Sequence, residues 1–181
     1  PPNGGSHPPT SYGQALLQIA QLIKGDIGLE VAFTDIGGWD THANQGAEQG
    51  QLANRLRSLD QGLETLRSSL GPAWKDTAML VVTEFGRTVA VNGTRGTDHG
   101  TATCAFLAGG AVAGGRVIAD WPGLATSNLY QQRDLQPTLD LRSIFKGVLA
   151  THLGASDSDL ETRIFPDRRR AKPLQDLLRR A

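Results

Sequence analysis

Apolar positions recur with two different rhythms along this chain. From Tyr12 to Lys24, the residues Leu16, Ile19, Ala20 and Ile23 fall at i, i+3, i+4 and i+7. That spacing predicts one buried face of an amphipathic helix, and Gly25 supplies its end. Leu29 to Ile36 is apolar without strict alternation, which predicts a strand buried on both faces of a parallel sheet. Glu48 to Leu70 predicts the longest helix, with Leu52, Leu56, Leu59, Leu63, Leu66 and Leu70 on one stripe at alternating four- and three-residue steps. The stripe suits a coiled coil, but beside predicted strands it fits a helix lying on a sheet. Gly71-Pro72 stops it, and Ala78 to Thr83 predicts a second strand. For such a strand–helix–strand unit, a right-handed parallel crossover is the default.

Further on, Thr103 to Ala108 and the short Arg116 to Ala119 predict two more strands. Asp140 caps a predicted helix running to Leu153, with Ile144, Phe145, Val148 and Leu149 on its inner face and Gly154 past its end. A short amphipathic helix is expected over Pro173 to Arg180. The pattern predicts an α/β fold with a mostly parallel sheet and helices on both faces. Residues 1–11, rich in Pro, Gly, Ser and Asn, read as a linker or N-terminal arm that carries His7. Residues 12–165 read as one α/β domain, and 166–181 as a basic tail with a short helix.

Composition narrows the classes of function. At 181 residues the chain can bury a full core. Eighteen basic residues balance eighteen acidic ones, which argues against a nucleic-acid binder. The local surplus at Arg168-Arg169-Arg170, Lys172, Arg179 and Arg180 reads as a solvated face. Cys104 is the sole cysteine, sits in an apolar run and reads as a small buried hydrophobe. No stretch approaches the roughly 18 apolar residues of a membrane span. The chain starts Pro1-Pro2 without Met, and is expected to be processed or part of something longer.

Candidate chemistry collects where predicted strands end. Gly37-Gly38 turns the backbone, and Trp39, Asp40 and His42 follow at once. Ligands in open α/β sheets gather outside the carboxyl ends of strands. A carboxylate with an imidazole suits zinc, manganese or iron, although an Asp also caps helices and a His also simply hydrogen-bonds. Glu84 leaves the second predicted strand as Asp40 leaves the first. Arg87 is placed to neutralise Glu84 or to hold a substrate oxyanion. Asp98 and His99 lie in a loop too polar and Gly-rich for packing alone, and can share a metal or act as ligand and supporting partner. The expectation is that these three stretches meet in one metal-dependent site. His152 belongs to a helix C-terminus and reads as structural; Asp120, Trp121 and Asp140 are lesser candidates. There is no phosphate loop, no dinucleotide fingerprint and no Gly-x-Ser-x-Gly elbow, so metal-assisted hydrolysis is favoured over a nucleophile triad.

Four motifs carry a resemblance. Gly38-Trp39-Asp40-Thr41-His42 with Asn44-Gln45 comes first, then Thr83-Glu84-Phe85-Gly86-Arg87-Thr88, then Gly96-Thr97-Asp98-His99-Gly100. Gly114-Gly115-Arg116-Val117 through Asp120-Trp121-Pro122-Gly123-Leu124 completes the set. In this order, over about Tyr12 to Phe165, they resemble the uncharacterised, often exported family called domain of unknown function fifteen-hundred-and-one. That family resembles sulfatases and the alkaline phosphatase superfamily and is usually longer, so the chain looks like its C-terminal half.

The resemblance implies a doubly wound α/β fold and a site of Asp, His and Glu ligands, with Asp40, His42 and the Asp98-His99 motif carried over. Joined to the reading of the residues, it gives the expectation of a divalent metal (zinc, manganese or calcium) held by Asp40, His42, Glu84, Asp98 and His99, with Arg87 on the substrate oxyanion. It implies a small anionic ester or polymer as substrate, a nucleophile in an N-terminal half of the same protein, and export. Glu84-Phe85-Gly86 stands where the superfamily has Asp-His-Gly, and the spacing of Asp40 to His42 is tighter than its norm, so one metal or two stays open. The expected function is a hydrolase of phosphate or sulfate esters. The alternatives are a non-catalytic exported binding or structural protein, and a carbohydrate-binding module using Trp39 and Trp121.

Overall fold

The computed structural model describes residues 11–166 and 171–179. The arm up to residue 10 with His7, the Arg168-Arg169-Arg170 run and Arg180 lie outside the described residues. The chain divides into two compact units, Pro1–Trp74 and Lys75–Ala181.

The first unit is built on two helices, α1 (Ser11–Lys24) and α2 (Gln51–Leu70), packed against each other. Both follow the sequence pattern: Leu16 and Ala20 of α1 are buried, as are Leu59, Leu66 and Leu70 of the leucine stripe. Removing such side chains from water stabilises the pair by about 25 cal/mol per Å² of apolar surface. At Gly62 the two helices leave no room for a side chain, and an added Cβ would lie 2.2 Å from Cε1 of Tyr12. Leu56 of the same stripe is 46% exposed, so the stripe is only partly covered.

Residues 29–36 correct the first strand expectation. They run without ladder pairing, and Val31 and Phe33 are 65% and 89% exposed. An apolar run becomes a strand only when another strand takes up its backbone N–H and C=O groups. Among the described residues, the first unit has no β-strand to do so.

Among the described residues, the second unit holds four short strands: β1 (Met79–Val81), β2 (Gly86–Arg87), β3 (His99–Gly100) and β4 (Phe106–Ala108). β1 pairs with β4 and β2 with β3, both antiparallel. Two small antiparallel sheets therefore replace the mostly parallel sheet with helices on both faces. The expected parallel crossover needed residues 29–36 as its first strand. β1 instead pairs with the chain returning through the 92–100 loop, and a returning chain pairs antiparallel.

Residues 116–119 form no strand, and Val117 is 92% exposed. Nor is there a helix over the described part of 173–180. There the backbone is committed elsewhere: Ala113 N–H donates to Leu177 C=O at 2.9 Å, and Arg179 N–H to Ala111 C=O at 2.8 Å. This pairing buries Val112, Leu177 and Leu178 as a core, joined by Ala78, Leu107, Ile144, Val148 and Leu174.

α3 (Leu141–Leu153) forms as its sequence signals require. Asp140 caps it, accepting from Arg142 N–H at 2.9 Å, and Gly154 closes it at φ 66° in the left-handed region. A short α4 (Asp157–Asp159), capped by Ser156, runs into a π-helical turn, Leu160–Ile164. Cys104, expected to be buried, is exposed. Among the described residues, no helix is long and apolar enough to cross a membrane.

Candidate functional site

In the first unit the ligand-type residues sit on the turn after Gly37-Gly38. Gly38 has φ +90°, a conformation that costs other residues strain. Trp39 Nε1 donates back to Ile36 C=O at 2.6 Å and tightens the turn. Thr41 is buried, and its hydroxyl donates to Gln45 Oε1 at 2.7 Å. Downstream, Gln51 Nε2 donates to the carbonyls of Ala43 and Asn44. These bonds tie the motif to the start of α2.

With Thr41 anchored inward, Asp40 and His42 on either side of it stay open to solvent, their side chains 68% and 44% exposed. Asp40 Oδ1 and His42 Nε2 lie 2.9 Å apart. That separation fits two ligands on one ion: at about 2.1 Å from each atom it subtends about 90°, an octahedral rather than tetrahedral angle. The donor set, one carboxylate oxygen and one imidazole nitrogen, suits a borderline divalent ion such as zinc or manganese.

In the second unit a hairpin of β2 and β3 carries the other candidates. Its glycines are required by close approach. A Cβ at Gly86 would lie 1.8 Å from Ala102 O, and one at Gly100 would lie 2.6 Å from the Arg87 carbonyl carbon. His99 pairs with Arg87 across the ladder, and its ring meets Phe85 with centroids 4.5 Å apart. Asp98 is exposed; its Oδ1 accepts from Asn92 Nδ2 at 2.9 Å. Asn92 Oδ1 in turn accepts from the N–H groups of Thr94 and Gly96. This explains why the loop is so polar: one Asn side chain organises it. Glu84 is exposed, and Thr83 Oγ1 donates to its Oε2 at 3.2 Å.

The structure thus presents Asp40 with His42 in one unit, and Glu84, Arg87, Asp98 and His99 along one hairpin and loop in the other. Arg87 has a local task, since its Nη1 donates to Thr97 C=O at 2.7 Å. Asp140 is a helix cap, and Trp121 is 61% exposed.

Sequence reading missed Asp134. Its side chain is only 2% exposed and accepts from Thr101 Oγ1 at 2.8 Å and Arg133 Nε at 2.8 Å. Arg133 Nη2 reaches on to His99 C=O at 3.4 Å, and Asp134 also bridges Thr88 and Tyr130 through its backbone. The hydrogen bond from Arg133, with help from Thr101, holds the Asp134 carboxyl below its ordinary pKa against the opposing effect of burial. No periodicity marks this residue; the adjacent Arg133 was its only sequence signal.

No curated protein and no solved structure matches the chain. The profile of the family described as Protein of unknown function (DUF1501) matches residues 4–164. The chain belongs to that family.

Proposed function

We propose that this protein is a divalent-metal-dependent hydrolase of phosphate or sulfate esters, acting as an exported protein. The observation that carries the reading is the exposed Asp40–His42 pair, with a carboxylate oxygen and an imidazole nitrogen 2.9 Å apart. Both atoms are presented on a turn that Thr41, Trp39 and Gln51 hold in place. Asp98 and His99 are the further ligands implied by the motif resemblance, and Glu84 is a further candidate from its place after β1. A bound ion supplies Lewis-acid polarisation of the ester and stabilises negative charge as it develops. The Asp40 carboxylate and the His42 imidazole would hold it. In the second unit Asn92 orients the Asp98 carboxylate, and Phe85 stands against the His99 ring.

A second reading, a non-catalytic binding or structural protein, is favoured by Phe85 itself. An apolar ring stands there, against His99, where the resemblance calls for another histidine ligand.

Elemental analysis after incubation with zinc or manganese separates the two. The hydrolase reading expects about one or two ions per chain, lost in His42→Ala and in His99→Ala, and chelator-sensitive hydrolysis of aryl phosphate or aryl sulfate. A protein that stays metal-free under these conditions overturns it.

A further inference from the structure

The first unit contains a cavity of about 430 Å³ lined by Ser11, Tyr12 and Ala15 of α1, residues 34–37, and Arg55 and Ser58 of α2. That volume lies within the usual range for small-molecule sites, about 300–1,000 Å³. Arg55 lies against the glycine turn. A Cβ on Gly38 would come within 2.4 Å of its Nε and 2.7 Å of its Nη2, so the guanidinium occupies space that only a glycine leaves open. Among the described residues, Arg55 has no acidic partner and donates no hydrogen bond. The backbone N–H groups of residues 34–37 are likewise uncommitted there.

We propose that this cavity binds a tetrahedral oxyanion, phosphate or sulfate, with Arg55 as its anchoring cation. A planar guanidinium offers paired donors matched to two oxygens of such an anion. The hydroxyls of Ser11, Tyr12 and Thr34 add donors around the same space. Burial raises the Tyr12 pKa, so its hydroxyl keeps its proton and remains a donor at neutral pH. Ser58 contributes less, because its hydroxyl already donates to Asn54 C=O at 3.0 Å. Asp35 also lines the cavity and opposes an anion, which tunes the site toward weaker, releasable binding.

The inference deepens the ester reading by assigning anion recognition to Arg55, whereas Arg87 is engaged with Thr97. It rests on that reading only for the claim that the natural ligand is an ester.

The test is calorimetric titration with inorganic phosphate, and separately with sulfate, on the whole chain in the presence of chelator. Working without metal separates its failure from failure of the metal-centre reading. Wild-type protein should bind saturably. Arg55→Ala should weaken binding about tenfold or more, the scale of a charge-assisted hydrogen bond. Arg55→Lys, which keeps the charge and the fold, should fall between the two, and Asp35→Asn should bind more tightly. Arg57→Ala, on the same helix and already bonded to Asn54, should leave affinity unchanged. Equal affinity in wild type and Arg55→Lys, an equal loss in Arg57→Ala, or no saturable binding to wild type overturns the proposal.

Discussion

Thr101 Oγ1 donates to Asp134 Oδ2 across 2.8 Å, joining residues 33 positions apart in the chain. This bond, with Arg133 on the same carboxylate, fastens the end of the hairpin that carries His99. A buried carboxylate with three donors is costly to disturb, because each donor left without its partner loses its bond.

Asp134→Ala should therefore lower the stability of the second unit by about 1–3 kcal/mol. The check is denaturant unfolding together with amide hydrogen exchange. Protection should fall first at Thr88 and Gly86, whose N–H groups donate to Asp98 and Thr101. Unchanged exchange there would show that the carboxylate does not hold the hairpin.

Asp140 has two separable tasks. It caps α3 through Arg142 N–H and pairs with the Arg142 guanidinium, Nε to Oδ1 at 2.8 Å. The Arg142 hydrogen bond holds its pKa below the ordinary carboxylate value against burial. Because the folded pKa is depressed, this contribution is fully present above the unfolded value of about 3.9 and is lost as pH falls through the lowered folded value. Asp140→Ala should cost about 1 kcal/mol at pH 7. Asp140→Asn should retain much of the cap yet flatten the acid limb of a stability–pH curve. Thermal melts at pH 7 and below pH 4 read both effects.

Lys146 is fully buried and its Nζ lies 2.7 Å from Glu161 Oε1, while Glu161 Oε2 has no hydrogen-bond partner among the described residues. Removing the carboxylate takes this ion pair away from a buried ammonium, so Glu161→Leu should destabilise by about 3 kcal/mol. The double variant Lys146→Met with Glu161→Leu should recover most of that loss. A double-mutant cycle by chemical denaturation measures the coupling, and a double variant as unstable as the single would contradict it.

Gly62 of α2 faces α1, with Tyr12 in the space a side chain would need. Gly62→Val should overpack this seam and cost about 1–3 kcal/mol. Adding Tyr12→Ala should relieve part of the penalty. Circular dichroism through a thermal melt follows both variants, and a Gly62→Val protein as stable as wild type would refute the close packing.

Three of the four expected helices were legible in the sequence, and the pairing of the strands was not. α1, α2 and α3 appear where the three- and four-residue apolar spacing put them, and Asp140 and Gly154 mark the two ends of α3. A helix bonds each residue to one four positions away, so its evidence lies inside a short window. The ligand-type motifs and family membership were likewise visible, because they are fixed by residue identity in order. Strand partners are set at a distance. Residues 29–36 look like a core strand from composition yet run unpaired, with Val31 and Phe33 exposed, and β1 found β4 rather than that run.

The sequence by itself therefore determined the three main helices, the ligand-type side chains and the family. Only the tertiary structure decided that the strands pair antiparallel and that Arg87 is held by Thr97. It alone revealed that a buried Asp134 secures the His99 hairpin, and that Arg55 lies over Gly38. Each of these depends on which distant groups satisfy one another's hydrogen bonds and share space, and no local spacing encodes that.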